Sequence, residues 1–395
     1  MPRDSAILKI CLIAGEASGD ALGARLMQAI KRETATAVHF SGVGGPQMEA
    51  EGLQSIFPMR DISVMGIAEV LPKLAKILAR IRQTVSFIKR EHPDIVVTID
   101  SPDFCFRVAR KVKASSAQPP RMVHYVAPTV WAWRPERAKK VAKLYDGMMC
   151  LYPFEPPYFE AEGLASAFTG HSVLGSGCGK GNGAALRREL GIPEDAAVLG
   201  VLFGSRMGEL NRVGPVLHDA AVRIAAANGG MHIISPTFPH LGRQTKNLLR
   251  SMDCKTHVIT DQKRKWDCFA AMDMALATSG TVGLELAVAD VPHVIAYKMS
   301  PLTAQIVRRK VTVKYAHLVN ILLDQPAVPE FIQEKCTAAA IAESACGLMA
   351  QDGGAQPEAF AKARNLLLGS SKDDPSVQAA RFVLDNICLR SSLKA

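Results

Sequence analysis

The sequence predicts two doubly wound α/β domains, each a parallel sheet wrapped by helices, and three observations carry that expectation. The chain has 395 residues, more than the roughly 250 to 300 at which a single hydrophobic core stops growing. Short apolar runs alternate with amphipathic segments along most of it, a βαβα order that calls for parallel strands. The alternation pauses at Gly175-Ser176-Gly177-Cys178-Gly179-Lys180-Gly181-Asn182-Gly183, five glycines in nine residues, and then restarts. That stretch reads as a flexible linker. The expected domains are therefore residues 1–174 and 184–368, followed by a helical tail over 369–395 that packs on the first domain or on a partner subunit.

In chain order, Ile7 to Ala14 reads as a strand, and Gly15-Glu16-Ala17-Ser18-Gly19-Asp20 turns it into a helix reaching about Arg32. Val38 to Val43 gives a second strand ending in Gly42-Val43-Gly44-Gly45, which lacks the G-x-G-x-x-G spacing of a dinucleotide site. From Ile67 onward Val70, Leu71, Leu74, Leu78, Ile81, Val85 and Ile88 recur every three or four residues, the period of a long amphipathic helix. Its other faces carry Lys73, Lys76, Arg80, Arg82, Lys89 and Arg90. Ile95 to Ile99 is a continuous apolar run that delivers Asp100 at its carboxyl end, and Ser101-Pro102-Asp103 opens the next helix. Met122 to Ala127 and Gly147 to Tyr152 are further strands, the latter followed by a helix over Glu155 to Glu162.

Beyond the glycines, Val198 to Phe203 leads into Gly204-Ser205-Arg206 and a helix. Met231 to Ser235, His257 to Thr260, Met274 to Thr278 and His293 to Tyr297 complete the second set of strands. The chain from Ala338 is helical, broken near Gly353-Gly354 and again between Gly369 and Pro375, with Val377 to Ile387 as the last amphipathic helix.

Hydrophobic residues make up 48% and charged residues 21%, which excludes a disordered or fibrous chain. The net charge of +10 favours an anionic partner: nucleic acid, anionic lipid headgroups or a phosphorylated substrate. Lys9 interrupts the first apolar run and no cleavage site follows it, so it is a strand rather than a signal peptide. No segment approaches the roughly 18 uninterrupted apolar residues of a spanning helix, so any membrane contact is expected to be peripheral and the protein cytoplasmic. The nine cysteines form no C-x-x-C pair and read as reduced thiols in the core. The ten histidines show no metal-binding spacing and read as structural or polar-contact residues; no metal or cofactor site is expected.

The stretch from Ala275 to Ala287 reads as a buried strand running into a helix. Ser279 and Thr281 are good capping residues beside Gly280, and the first helical amides make an anion site suited to a diphosphate. Glu285, one turn in, is placed to reach the hydroxyls of an attached sugar; the competing reading is an ordinary strand-cap-helix joint with Glu285 on the helix dipole. If the carboxyl ends of the two sheets face one cleft, it receives Glu16, Ser18, Asp20 and Asp100 from the first domain and Arg206 with the 279–285 loop from the second. One wall is acidic and the other binds anions. That division suits transfer of a sugar from a nucleoside diphosphate, in which the attacking hydroxyl needs a base and the leaving diphosphate needs positive potential. The sequence has no D-x-D pair to hold an ion, which leaves Arg206 and a helix N-terminus for the leaving group. Arg206 as a surface ion-pair partner and Asp100 as a helix cap remain open alternatives.

Specific strings carry a resemblance that covers nearly the whole chain. They are Ala14-Gly15-Glu16-Ala17-Ser18-Gly19-Asp20, Val64-Met65-Gly66-Ile67-Ala68-Glu69-Val70-Leu71, Ile99-Asp100-Ser101-Pro102-Asp103-Phe104 and His124-Tyr125-Val126-Ala127-Pro128-Thr129-Val130-Trp131-Ala132-Trp133-Arg134. Phe168-Thr169-Gly170-His171, Gly204-Ser205-Arg206, Ser279-Gly280-Thr281 with Glu285, and Asn320-Ile321-Leu322 continue it. Through them the chain resembles the lipid-A-disaccharide synthases, GT-B glycosyltransferases of lipopolysaccharide synthesis in Gram-negative bacteria. The resemblance implies a GT-B fold, two Rossmann-like domains with parallel sheets facing across a cleft, the first facing acceptor and membrane and the second binding UDP-sugar.

It implies inverting, metal-free transfer from UDP-2,3-diacylglucosamine to 2,3-diacylglucosamine 1-phosphate, giving a β-1,6 disaccharide and UDP, with no cofactor and no nucleic acid partner. Asp100 is then the base, with Glu16 and Ser18 beside it; Arg206, Ser279, Gly280, Thr281 and Glu285 hold UDP, and Asn320 lines the site. Other GT-B enzymes acting on UDP-GlcNAc, a muramyl-pentapeptide N-acetylglucosamine transferase or a 2-epimerase, and a non-catalytic nucleotide or lipid binder are the alternatives. The family is described as dimeric, and the sequence neither supports nor opposes a homodimer. Because both substrates are acylated, Val64, Met65 and Ile67 with Lys73, Lys76 and Arg80 read as an apolar lip and cationic face for the anionic inner face of the inner membrane. The competing reading buries that lip and solvates the charges.

Overall fold

Runs such as Ile95-Val96-Val97-Thr98-Ile99 offer no polar face to water on either side, and they form the middle of parallel sheets covered on both faces. The computed structural model describes residues 7–63, 67–115, 118–300, 304, 305, 307, 311–369 and 373–392, with the side chains of 67–73 and 389–392 outside the description. The chain divides into two units, one comprising Met1–Ser172 with Leu367–Ala395 and the other Val173–Leu366.

Among the described residues the first unit contains β1 (Leu8–Ala14), β2 (Val38–Val43), β3 (Gln54–Ser55), β4 (Ile95–Ile99), β5 (Arg121–Tyr125), β6 (Gly147–Cys150) and β7 (Ser166–Phe168). They lie in the order β3-β2-β1-β4-β5-β6-β7, parallel at every pairing. The second unit contains β8 (Val198–Leu202), β9 (His232–Pro236), β10 (Lys255–Ile259), β11 (Met274–Thr278), β12 (His293–Tyr297) and β13 (Glu330–Ile332), in the order β10-β9-β8-β11-β12-β13 and again parallel. In each sheet the strand order reverses beside the first strand, between β1 and β4 and between β8 and β11. The carboxyl ends at such a switch point are where sheets of this type place ligands.

All five residues of β4, β8 and β11 are buried, as their unbroken apolar runs require. The short edge strands β3, β7 and β13 have two or three residues each and no pattern the sequence could reveal. The helix Ile67–Glu91 turns Ile81, Val85 and Ile88 into the first core, alongside Val96, Phe104, Val108 and Met122. The helix Met207–Ala227 does the same with Val213, Leu217, Ala221 and Ile224 in the second. Cys11, Cys105, Cys150, Cys268 and Cys336 are buried thiols within these cores.

The last helix, Pro375–Ser392, belongs to the first unit. Its Phe382 fills the space that Gly147 leaves open, where an added Cβ would come within 2.9 Å of the ring. Asn386 accepts from Arg121 Nη2 at 3.1 Å, and Arg381 pairs with Glu33 at 2.8 Å and Asp373 at 2.6 Å.

The glycine-rich stretch is not a flexible linker. A Cβ on Gly181 would lie 2.0 Å from the Trp266 carbonyl oxygen, and one on Gly183 would lie 2.1 Å from that of Ala270. The amide of Asn182 donates to Asp267 at 2.7 Å, and the Asn182 side chain caps the helix Gly183–Glu189. Gly181 and Gly183 are there because backbone packs directly on backbone, and Gly177 and Gly179 because their backbones are left-handed, φ 85° and 80°.

Candidate functional site

In the first unit the register pairs Ala14 with Ile99, so the loop after β1 and Asp100 leave adjacent strands at the same level. Gly15 fits only without a side chain, because a Cβ would lie 2.2 Å from Ser101 Oγ. The structure thus brings Gly15, which leads into Glu16 and Ser18, against Ser101 of the Asp100–Ser101 turn, and Ser63 Oγ donates to the Gly15 carbonyl. Asp100 and Ser101 both have left-handed backbones, φ 52° and 45°, and Val126 at the end of β5 has φ 78°. Such conformations cost on the order of 1–3 kcal/mol each and persist only where surrounding bonds hold them. Here the Asp100 amide donates to Tyr125 O at 2.9 Å and that of Val126 to Met149 O at 3.1 Å.

The Asp100 carboxyl is raised above the usual range by desolvation, partly opposed by the Ser101 backbone N–H. Ser101, not Asp100, is the N-cap of the helix Pro102–Ala114. Glu16 is half-buried at the N-cap of the helix Ala17–Glu33, and Ser18 is exposed in its first turn. The buried Asp20 carboxylate accepts the amides of Gly45, Gln47 and Met48 at 2.9–3.0 Å and closes the N-terminus of the helix Pro46–Ala50.

In the second unit Leu202 of β8 pairs with Ala277 of β11, again bringing two strand ends to one level. Gly204 has φ 97°, and a Cβ there would lie 2.5 Å from Glu209 Oε2. Glu209 accepts from the amides of Ser205 (2.9 Å) and Arg206 (3.3 Å) and from Arg206 Nη1 (3.4 Å), so it shapes the whole Gly204-Ser205-Arg206 turn. The Arg206 side chain is still 61% exposed.

At the neighbouring strand end the Ser279 amide donates to Ala296 O at 3.0 Å. The N-cap of the helix Thr281–Val288 is Gly280, which corrects the expectation that Ser279 or Thr281 caps it. A Cβ on Gly280 would meet nothing within 4 Å among the described residues, so the space beside this N-cap is open to them. Thr278, just before the turn, is buried with its hydroxyl lacking a hydrogen-bond partner among the described residues.

Glu285 accepts from Lys265 Nζ at 2.6 Å, so its carboxylate is half of an ion pair. Lys265 in turn lies 4.8 Å from the centroid of the Trp266 ring. Asn320 is fully buried; its Oδ1 accepts from Val328 N, and its Nδ2 donates to Val328 O and Glu330 Oε1, each at 2.8 Å. Both amide hydrogens are engaged, so Asn320 organises the loop ahead of β13.

Of the expected membrane face, Val64 and Met65 lie outside the described residues, as do the side chains of Ile67 and Lys73. Lys76 and Arg80 both pair with the buried Asp61, at 2.5 Å and 2.6 Å, and Arg80 also covers the Phe57 ring. Sequence reasoning missed Asp61, Glu209, Lys265 and Glu330, and also Glu155. Glu155 accepts from Trp131 Nε1 (3.0 Å) and from the amides of Leu151 (2.9 Å) and Tyr152 (3.0 Å), anchoring the Val-Trp-Ala-Trp-Arg loop. Among the described residues no helix is long and apolar enough to cross a membrane.

A family model described as lipid-A-disaccharide synthetase matches residues 10–374. The lipid-A-disaccharide synthase of Rhodospirillum centenum is 44% identical over 384 residues, 97% of this chain and 96% of the relative. That of Ruegeria pomeroyi is 43% identical, over 98% of this chain and 97% of the relative. Among solved structures the chain is similar to the UDP-GlcNAc 2-epimerase of Neisseria meningitidis, solved bound to UDP-GlcNAc, with a TM-score of 0.63 at 12% identity over 97% and 100% of the two chains. It is similar to Acinetobacter baumannii MurG with a TM-score of 0.58 at 13% identity over 96% and 100%. At that identity the likeness speaks for the fold, which is GT-B: two α/β units with parallel sheets.

Proposed function

The chain belongs to the lipid-A-disaccharide synthase family of glycosyltransferases, and on that premise we propose that it transfers 2,3-diacylglucosamine from its UDP conjugate to 2,3-diacylglucosamine 1-phosphate. The observation that carries this reading is Asp100: a desolvated carboxylate on a left-handed turn at the β1/β4 switch point, whose next residue, Ser101, lies against Gly15. A carboxylate with a raised pKa is a better base for a hydroxyl than an ordinary one. Asp100 takes the proton of the acceptor 6-hydroxyl as its oxygen attacks the anomeric carbon. The bond from that carbon to the diphosphate breaks on the opposite face, so the β-1,6 linkage forms with inversion and UDP leaves. Glu16 and Ser18 contact the acceptor from the adjoining loop.

The leaving diphosphate is stabilised by the first amides of the helix Thr281–Val288 and by Arg206, which need no reorganisation as charge develops. Gly280 supports this role, because the absence of a side chain lets a phosphate approach the helix start. The paired Lys265 and Glu285 lie one turn further along. At the membrane, Lys76 and Arg80 with Asp61 offer one net positive charge, and the lip at 64–67 supplies the apolar part of a peripheral contact with the anionic inner face of the inner membrane. The test is UDP release by purified protein as acceptor is titrated at fixed donor. Release that saturates with acceptor supports transfer. Release that ignores the acceptor, or a donor that changes only its C2 configuration, contradicts it.

A further inference from the structure

The helix Thr281–Val288 rests on a histidine. A Cβ added to Gly283, in its first turn, would lie 2.5 Å from His317 Nε2, and the Gly283 backbone faces the same ring. His317 is 2% exposed and precedes the helix Leu318–Leu323, whose Val319 amide donates to His317 Nδ1 at 3.1 Å. Because Nδ1 accepts, the neutral ring carries its proton on Nε2. That nitrogen lies 2.9 Å from Nε2 of His293, which is fully buried at the start of β12. His293 Nδ1 in turn lies 2.8 Å from Val291 O and donates to it, leaving its Nε2 as the acceptor. One tautomer of each ring satisfies the whole chain of contacts, so the order of donors is fixed.

His293 is itself clamped. The Gln356 side chain bonds both its amide and its carbonyl at 2.8 Å, and Phe360 stacks on its ring at 5.3 Å. Burial pushes the His293 imidazole down to about 4 and His317 well below its ordinary value, so both rings stay neutral at physiological pH.

We propose that His293 and His317 are positioning residues for the diphosphate site, a buried relay that fixes the helix Thr281–Val288, and with it the Gly280 turn, against β12. The proposal rests on the reading of that turn as the diphosphate site. The relay reaches no ligand; it acts by holding the first-turn amides in place.

The two nitrogens of His317 do different work, and two substitutions separate them. His317→Asn keeps an acceptor for the Val319 amide but leaves His293 Nε2 without its donor; His317→Gln keeps a donor toward His293 and loses the cap. UDP binding is measured by titration calorimetry, with the melting temperature of each variant alongside. His317→Asn is expected to weaken UDP by about 10-fold, the scale of one lost buried hydrogen bond, and His317→Gln to recover most of it. Gly283→Ala weakens UDP in the parent and adds nothing in the His317→Asn background, because the ring it strikes is gone. Equal losses in the two His317 variants, or an additive Gly283→Ala, overturn the relay.

Gly280→Val, whose side chain enters open space, tests the underlying reading. If it abolishes UDP binding while the His317 variants bind like the parent, the diphosphate site stands and the relay falls. If it leaves UDP affinity unchanged, the site lies elsewhere and the relay falls with it. Should His317→Asn fail to fold, Gly283→Ala and Gly283→Ser carry the test, and parent-like UDP affinity in both overturns the proposal.

Discussion

Asn320→Ala separates an organising residue from a ligand contact. Removing the buried side chain takes the partner from both the amide and the carbonyl of Val328, while Glu330 keeps the amides of Ala316 and His317. A buried backbone group left without a partner costs about 1–3 kcal/mol, and water entering the vacated space recovers part of that, so the two together destabilise the second unit by about 2–4 kcal/mol. Urea unfolding monitored by hydrogen exchange at the Val328 amide reads the loss where it occurs. UDP affinity, measured at a temperature where the variant is folded, is expected within about three-fold of the parent, since Asn320 has no amide hydrogen left for a ligand. A variant as stable as the parent that binds UDP ten-fold more weakly would refute this assignment and restore Asn320 as a ligand contact.

Asp100→Asn is expected to lower turnover by ~10² to 10⁴ with UDP affinity unchanged, and near-normal turnover ends its role as base. Glu155, buried and pushed up to about 7 from 4.5, keeps its proton longer in the folded state than in the unfolded one. Its ionisation therefore withdraws stability as pH rises from about 4.5 through about 7, by on the order of 3 kcal/mol in full, and the loss is absent below that window. The melting temperature of the parent should fall against that of Glu155→Gln across this range; parallel curves contradict it. Asp61 has the opposite sign, because Lys76 first and then Arg80 hold its carboxyl below 3.8, so its stabilising pair is lost only as pH falls through that lowered value. Asp61→Asn releases both cations and should strengthen binding to anionic vesicles about five-fold at low salt, an effect that salt erases; unchanged binding removes Lys76 and Arg80 from any membrane face.

The central strands were legible because a parallel strand covered on both faces must be apolar along its length, as β4, β8 and β11 are. The edges were not, since Gln54-Ser55 or Glu330-Phe331-Ile332 resembles any loop. Asp100 stood out at a strand end, and the strands around it fixed its neighbourhood. What pattern could not supply was the partner of each charged group. Asp20 meets amides 25 to 28 residues away, Glu285 meets Lys265 20 residues away, and His293 meets His317 24 residues away. Composition also failed at residues 175–183, because glycines that permit backbone contact and glycines that permit motion look alike in a sequence.

Inverting transfer is tested most directly by NMR of the purified product after complete conversion of a defined donor. A single β-1,6 linkage between the two glucosamines, formed in equal amount to released UDP, is the predicted result. An α-linked product, or a donor altered in configuration with no disaccharide, contradicts displacement by an acceptor hydroxyl activated at Asp100.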